Sequence, residues 1–292
     1  MTAEEAAARP TPPAAAEPLW LGACRRMVAG MEQLFAASAT VAERTVYEGR
    51  GEGGDRSLRL DRLSEDVVFA ELERLHDEGL DFRAVSEERG EVAFGDPGAD
   101  LVVVIDPIDG SLNARRTIPA YSLSIAVASG PAMADVEFAF VHDFGPGEEF
   151  TARRDGGARL GERPLEARGP GYGLEVVGIE AAKPERVLPV ARALEGQAFR
   201  LRSVGSIAIT ICWIAAGRFD GMLTTRPCRS VDVAAAQLVA REAGAVVEFP
   251  GIGLDRAGLD LEARYQVVSA LEAGLLAPLL GALDAVEAER AG

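Results

Sequence analysis

Residues 101–113 read LVVVIDPIDGSLN, an apolar run that ends in two carboxylates. The β-branched run over residues 101–105 predicts a strand buried on both faces. Asp106 and Asp109 follow at its carboxyl end, where a proline and a glycine predict a tight turn. Two carboxylates on one turn suit a hard divalent cation, and the N–H groups of the Gly-Ser that follows suit a phosphate beside it. This stretch therefore predicts a Mg²⁺ and phosphate site.

A plain surface turn is the alternative for this stretch, because Asp-Pro and Asp-Gly are common turn dipeptides. Two other acid-bearing segments favour the metal site. Residues 85–88 read VSEE and residues 231–235 read VDVAA. Each segment places an acid at the end of an apolar run or at the start of a predicted helix. Three such segments in one chain are a more specific pattern than one.

The three segments, taken in order, resemble the motifs of a known family. Residues 106–111 (DPIDGS) resemble the first signature of the inositol monophosphatase family, the magnesium-dependent, lithium-sensitive phosphatases. Residues 230–236 (SVDVAAA) and 242–245 (EAGA) resemble the second signature, and residues 86–88 (SEE) resemble the acidic pair before the first. The likeness runs from about residue 20 to residue 285. The family also includes fructose-1,6-bisphosphatases and nucleotide bisphosphate phosphatases.

The resemblance implies a site for two or three Mg²⁺ ions. The ligands that it implies are Glu88, Asp106 and the backbone carbonyl of Ile108 for the first ion, and Asp106, Asp109 and Asp232 for the second. Asp232 can also cap a helix that starts at Val233, and the two roles are compatible. Asp61 is a candidate ligand for a third ion, with the cap of a helix as its alternative.

The resemblance also implies the residues that act on the substrate. The candidate catalytic residues are Glu88, Ser111 and Asp109. Glu88 and the Ser111 hydroxyl would polarise an attacking water, and the N–H groups of Gly110 and Ser111 would bind the phosphate. Gly205 and Ser206 would contact the alcohol part of the substrate. Since no side-chain nucleophile is implied, we expect direct in-line attack without a phosphoenzyme.

Four arginines bear on substrate choice. Residues 224–226 (TTR) stand where animal-type inositol phosphatases carry an acid, and the segment 223–232, with Arg226 and Arg229, looks more like the archaeal-type enzymes. A guanidinium there can bind a second phosphate bidentately. Arg115 and Arg116 can do the same, or form salt bridges between subunits. Exposure at the surface for solubility is the plain alternative for all four.

Inositol 1-phosphate is therefore the first candidate substrate, and fructose-1,6-bisphosphate is the second, alone or as a dual activity. A 3′-nucleotide bisphosphate and histidinol phosphate follow. A non-catalytic relative that keeps only the fold is the alternative of another class. The presence of all four metal-binding acids argues against that alternative.

Composition excludes several classes of partner. The 292 residues include 30 basic and 46 acidic ones, a net charge of −16 that argues against nucleic acid or an anionic membrane. No apolar run approaches the roughly 20 residues that span a bilayer. Three cysteines at unrelated spacings and two histidines indicate neither a disulfide framework nor a histidine zinc site. We expect a cytoplasmic enzyme for a small phosphorylated sugar or polyol, and the resemblance implies a homodimer.

The order of predicted elements divides the chain into three parts. Residues 1–17 read as a disordered tail, residues 18–160 as an α+β half with the first metal motif, and residues 161–292 as an α/β half with the second. A Gly-rich stretch at 49–57 reads as a mobile loop. The resemblance implies a layered αβαβα sandwich of the sugar phosphatase type, with the site between the halves.

Hydrophobic periodicity gives the individual elements. The predicted helices are 18–37, 61–76, 184–195, 205–217, 231–243 and 272–288. The predicted strands are 82–86, 101–105, 121–128, 134–143, 148–153, 174–179, 199–203, 219–223, 245–249 and 265–270.

Overall fold

The computed structural model describes residues 17–46 and 59–291. The predicted tail over residues 1–17 lies outside the described residues except for Glu17, which begins the first helix. The predicted mobile loop at 49–57 also lies outside them.

The described helices number eight. They are α1 (Glu17–Ala37), α2 (Val41–Arg44), α3 (Arg59–Asp77), α4 (Ser111–Arg115), α5 (Pro184–Ala193), α6 (Ile207–Ala215), α7 (Ser230–Glu242) and α8 (Leu276–Ala291). None of these helices combines the length and the apolar character that a membrane span requires.

The described strands form two sheets. The larger has the order β2-β1-β3-β4-β5-β6-β7-β8 and the smaller has the order β10-β9-β11-β13-β12. The larger sheet contains β1 (Phe82–Ser86), β2 (Gly90–Phe94), β3 (Val102–Asp109), β4 (Ser122–Ala128), β5 (Val136–Asp143), β6 (Glu148–Arg153), β7 (Gly157–Leu160) and β8 (Arg163–Leu165). The smaller contains β9 (Leu174–Glu180), β10 (Ala198–Arg202), β11 (Gly221–Thr224), β12 (Val246–Glu248) and β13 (Val268–Ala270).

Three apolar clusters stack the helices and sheets in layers. Helices α1 and α3 cover one face of the larger sheet. Helices α6 and α7 pack on its other face and on the smaller sheet, and their buried residues form the largest cluster. Helices α5 and α8 cover the outer face of the smaller sheet. This is the αβαβα arrangement that the resemblance implied, because alternate layers bury both faces of each sheet.

Every predicted helix and strand has a counterpart, with bounds shifted by a few residues. The predicted start of a helix at residue 205 was wrong: α6 begins at Ile207, since Gly205 has a φ of 87° and Ser206 caps the helix. Helix α2 and strands β2, β7 and β8 were not predicted. They are short and polar and therefore have little apolar periodicity. The division into halves at residue 160 stays a prediction.

Candidate metal centre

Strand β3 continues beyond the predicted 101–105 and carries both motif aspartates. Asp106 pairs with Ser124 and Asp109 with Ser122. The segment of β3 between these pairs is therefore one residue longer than the matching segment of β4, which defines a β-bulge. A bulge of one residue lets side chains three apart point to the same side of the sheet. Pro107 lies within this bulge, where its missing N–H is tolerated. The bulge, rather than a turn after the strand, brings the two acids together.

Asp232 completes a triad of acids. One carboxylate oxygen of each of Asp106, Asp109 and Asp232 lies within 4.8 Å of the other two. Burial, then the Asp109 and Asp232 charges, raise the pKa of Asp106 well above its ordinary value. Burial raises the pKa of Asp109 to about 7 and that of Asp232 to about 6. These crowded acids fit a divalent cation, which offsets their repulsion and takes oxygen ligands.

Asp109 is oriented by the amino end of α6. Its Oδ2 accepts hydrogen bonds from the Ser206 hydroxyl and, at 2.7 Å, from the Ala208 N–H. The Ser206 hydroxyl oxygen in turn accepts the Ile209 N–H at 3.1 Å as the helix cap. Neither bond uses Oδ1 of Asp109, which remains available to a ligand.

Asp106 and Asp232 are held in the same way, by one oxygen each. Oδ1 of Asp106 accepts the Ile108 N–H at 2.9 Å, and Oδ2 of Asp232 accepts the Arg229 N–H at 2.8 Å. The predicted helix start at Val233 was wrong, because α7 begins at Ser230 and Asp232 lies inside its first turn. Asp232 is therefore the third residue of α7, its carboxylate accepts the N–H of the N-cap residue Arg229, and it also belongs to the triad.

An acidic cavity of about 190 Å³ adjoins the triad through Asp106. It is lined by Asp61, Glu65, Glu87, Glu88, Asp106, Pro107, Ile108 and Ser111. Burial, together with the charges of Glu88 and Glu87, raises the pKa of Asp61 to about 7. The candidate third-ion residue Asp61 is therefore near both glutamates of the SEE segment.

The two neighbouring glutamates both act on Asp61 but differ in the other acids they affect. Glu87 is among the charges that raise the pKa of Asp106 and of Asp232, and it forms an ion pair with Arg229. Glu88 contributes to the raised pKa of Asp61 and of Glu65. The Glu87 charge thus acts on the triad as well as on Asp61, and the Glu88 charge acts on the two α3 acids, Asp61 and Glu65. The assignment of Glu88 to the first ion stays a prediction.

Glu65 is a site residue that the motifs did not reveal. It is 2% exposed and accepts hydrogen bonds from the Ser86 hydroxyl and, at 3.3 Å, from the Glu88 N–H. Arg89 lies 3.3 Å from its other oxygen. Glu65 thus anchors the segment that presents both glutamates. Its position four residues after Asp61 on α3, hence on the same helix face, was the available signal.

The turn after β3 requires a glycine. Gly110 has a φ of 95°, and a Cβ there would lie 3.0 Å from the Ala120 carbonyl oxygen and 3.1 Å from that of Gly205. Helix α4 starts directly afterwards at Ser111. Gly110 of the candidate phosphate turn is therefore next to the candidate substrate residue Gly205, and the roles of both stay predictions.

We expect Gly110→Ala to lower the free energy of unfolding by about 3 kcal/mol, since left-handed strain and a backbone clash add. Gly147→Ala is the matched control, because Gly147 has a φ of 71° with no atom within 4 Å of a Cβ. Its cost should be about 1 kcal/mol, from the left-handed φ alone. Urea unfolding of both variants measures the difference. Equal losses would show that the close contacts at residue 110 do not matter.

The four arginines occupy different surroundings. Arg229 is paired with Glu87 beside the triad, whereas Arg226 is exposed just after β11. Arg115 lies close enough to Asp61 to lower its pKa, and Arg116 is exposed. The structure gives Arg116 no evident partner at the site.

Comparison with known proteins agrees with this geometry. The model of the inositol monophosphatase family matches residues 22–284. A fructose-1,6-bisphosphatase/inositol-1-monophosphatase of Archaeoglobus fulgidus is 33% identical over 258 residues, covering 85% of this chain and 92% of the relative. The protein of the same description from Methanothermobacter thermautotrophicus is 28% identical over 86% of this chain and 91% of its own length.

Solved structures share the fold. The structure of an inositol monophosphatase-fructose 1,6 bisphosphatase superposes with a TM-score of 0.76 at 24% identity and covers 90% of this chain and 99% of that one. At this identity the likeness shows the layered fold alone. The family match spans both metal motifs and the acidic segment before them. This chain belongs to the inositol monophosphatase family of phosphatases.

Proposed function

We propose that this protein is a Mg²⁺-dependent phosphomonoesterase that hydrolyses inositol 1-phosphate to inositol and phosphate. The observation that supports this most directly is the triad of Asp106, Asp109 and Asp232, whose carboxylate oxygens lie within 4.8 Å of one another. The triad adjoins the turn at Gly110 and Ser111, which is suited to a phosphate. Retention of this complete set of acids favours an enzyme over a non-catalytic relative.

The acids divide into two groups of ligands in this proposal. Asp106, Asp109 and Asp232 would hold the ions next to β3, with the Ile108 carbonyl as a further ligand. We propose Glu87 there in place of the Glu88 that the resemblance implied, because the Glu87 charge acts on Asp106 and Asp232. Asp61 and Glu88, on the other side of the cavity, would hold a third ion. Mg²⁺ bound at such a site activates a water and neutralises charge on the phosphoryl oxygens and on the leaving alkoxide.

The remaining roles fall to groups of the chain itself. The N–H groups of Gly110 and Ser111 would bind the phosphate, and the Ser111 hydroxyl, with Glu88, would orient the attacking water. Gly205, which is exposed, would contact the alcohol that leaves, whereas the candidate Ser206 is buried and its hydroxyl is bonded to Asp109. Among these groups Ser111 is exposed to the cavity that Glu88 also lines, which supports their joint role. Water attacks phosphorus directly, and the phosphate–alkoxide bond breaks without a covalent enzyme intermediate.

Phosphate release from inositol 1-phosphate tests this proposal, measured with Mg²⁺ and again with a chelator in its place. We expect release that depends on Mg²⁺ and a stoichiometry of one phosphate per inositol. The absence of release, or release that a chelator leaves unchanged, would refute the proposed reaction. Light scattering on the same preparation tests the homodimer that the family resemblance implies.

Fructose-1,6-bisphosphate is the second candidate substrate. The two archaeal relatives described above carry both activities in their names. In this chain Arg226 is exposed just after β11. Strand β11 pairs in parallel with β9, and Glu180 at the end of β9 accepts the N–H of the candidate substrate residue Gly205. A guanidinium at this edge would bind the second phosphate of a bisphosphate bidentately.

We expect Arg226→Ala to lower kcat/KM for fructose-1,6-bisphosphate by about 10-fold, the effect of one lost charge-assisted contact of about 1.5 kcal/mol. Its kcat/KM for inositol 1-phosphate should not change. Arg229→Ala is the comparison, and it should lower both values because Arg229 pairs with Glu87. A loss on both substrates in Arg226→Ala would contradict a role confined to the second phosphate.

A further inference from the structure

A buried carboxylate lies at the end of β9, away from the metal motifs. Glu180 is 1% exposed. Its Oε1 accepts the Val204 N–H at 3.0 Å and the Thr210 hydroxyl at 2.8 Å, and its Oε2 accepts the Gly205 N–H at 2.9 Å. Within residues 17–46 and 59–291, no cationic side chain forms an ion pair with it. Two consecutive backbone N–H groups are thus bound by the two oxygens of one carboxylate.

The peptide that Glu180 holds is also fixed from its other side. The Asn113 amide donates to the Val204 carbonyl at 2.7 Å and to the Ala120 carbonyl at 2.7 Å. Gly205 has a φ of 87°, and a Cβ there would lie 2.8 Å from the Asn113 amide nitrogen. The turn between β10 and α6 is therefore hydrogen-bonded by the Glu180 carboxylate on one side and by the Asn113 amide on the other, and these contacts fix its position.

This turn leads directly into the groups that orient Asp109. Ser206 follows Gly205, caps α6 and donates its hydroxyl hydrogen to Asp109, and the Ala208 N–H donates to the same oxygen at 2.7 Å. Glu180 is therefore connected to the triad through its hydrogen bond with the Gly205 N–H, the peptide bond from Gly205 to Ser206, and the hydrogen bond from Ser206 to Asp109. The charge of Glu180 is also among those that raise the pKa of Asp109.

We propose that Glu180 is a positioning residue for the metal centre, which fixes the turn at Val204–Gly205 and, through Ser206 and Ala208, the orientation of Asp109. The role rests on the proposed function. It requires a carboxylate, because a glutamine offers one oxygen and turns its NH₂ group toward a second N–H donor. Loss of such an outer partner typically weakens metal binding or activity by about 10–100-fold.

The test compares Glu180→Gln with Asp220→Asn in the full chain. Asp220 is a matched control: it is 5% exposed and its Oδ2 accepts the Val176 N–H at 2.7 Å, near the opposite end of β9. Binding of Mn²⁺, followed by electron paramagnetic resonance, reports on the site independently of catalysis. Turnover of inositol 1-phosphate gives kcat and KM.

We expect Glu180→Gln to weaken Mn²⁺ binding and to lower kcat, each by about 10-fold. Asp220→Asn should leave both within about two-fold, whatever its effect on thermal stability. Equal Mn²⁺ affinity in Glu180→Gln and wild type, or equal weakening in the two variants, would overturn the proposal. If Glu180→Gln does not fold, Thr210→Val serves in its place: it removes the third hydrogen bond to Glu180, together with the contact of the same hydroxyl with the Ser206 carbonyl, and should weaken Mn²⁺ binding in the same direction.

Failure of the two proposals can be told apart. A wild-type protein that binds Mn²⁺ but releases no phosphate would refute the phosphatase, while the comparison of Mn²⁺ affinities would still decide the role of Glu180. Full wild-type turnover with unchanged affinity in Glu180→Gln and in Thr210→Val would refute the positioning role alone.

Discussion

Asp106→Asn is expected to lose phosphatase activity by about 1,000-fold or more, because several kcal/mol of transition-state stabilisation depend on a correctly held metal. Asp106 belongs to the triad and also lines the acidic cavity, so it is the one acid common to both parts of the site. An asparagine keeps the shape and the carbonyl oxygen but removes the charge that a bridging ligand supplies. The decisive measurement is phosphate release at saturating Mg²⁺.

In the absence of metal, the free energy of unfolding of Asp106→Asn should be at least as large as that of the wild type. Burial and the neighbouring Asp109 and Asp232 raise the pKa of Asp106, so the folded state takes up protons more readily than the unfolded chain. Metal-free stability from this group therefore falls as pH rises from about 4 through the raised pKa values. Removing one of the crowded charges relieves that loss.

Thermal unfolding between about pH 5 and about pH 8 separates these contributions. The metal-free wild type should lose melting temperature as pH rises, Mg²⁺ should restore it, and Asp106→Asn should be less sensitive to both. Asp220→Asn, which removes a buried acid outside the triad, is the control. An Asp106→Asn protein that turns over like the wild type would refute the ligand assignment, and one that unfolds far below it would show a structural role.

The triad could be predicted from the sequence because each aspartate stands at the border of an apolar element. Asp106 and Asp109 lie at the end of a buried strand and Asp232 lies in the first turn of a helix, and such borders meet at sheet edges. The bulge at Pro107 could not be predicted. It depends on how β3 pairs with β4, a non-local property that the residues of β3 alone do not determine.

The supporting acids were harder to find than the ligands. Glu65 and Glu180 are buried and bonded to backbone N–H groups, yet in the sequence each is an ordinary glutamate without a motif. Their role arises only when distant segments meet, over 23 residues for Glu65 and 25 for Glu180. A buried carboxylate needs such partners, so the tertiary contacts explain these residues where local pattern does not.

The roles of the adjacent Glu87 and Glu88 also could not be told apart from the sequence. Sequence reasoning identified the SEE segment, but the choice between Glu87 and Glu88 depends on the backbone path of the β1–β2 connection. Ser86 ends β1 and Gly90, with a φ of 74°, begins β2. Both charges act on Asp61, but the Glu87 charge also acts on Asp106 and the Glu88 charge also acts on Glu65.

Glu87→Gln and Glu88→Gln form a matched pair of conservative changes at adjacent positions. Because the Glu87 charge acts on Asp106 and Asp232, we expect Glu87→Gln to lower kcat/KM by about 100-fold and to raise the Mg²⁺ concentration needed for half-maximal rate. The Glu88 charge acts on Glu65 and on Asp61, which Glu87 also affects, so Glu88→Gln should lower kcat/KM by about 10-fold.

Titration of activity with Mg²⁺ for both variants measures the two effects separately. Arg229→Ala, which frees Glu87 from its ion pair, should shift the Mg²⁺ dependence less than Glu87→Gln does. A larger loss in Glu88→Gln than in Glu87→Gln would contradict the charge argument and support Glu88 as the ligand beside Asp106. Equal losses in the two variants would also contradict the charge argument, and would indicate that both glutamates contribute to the same metal site.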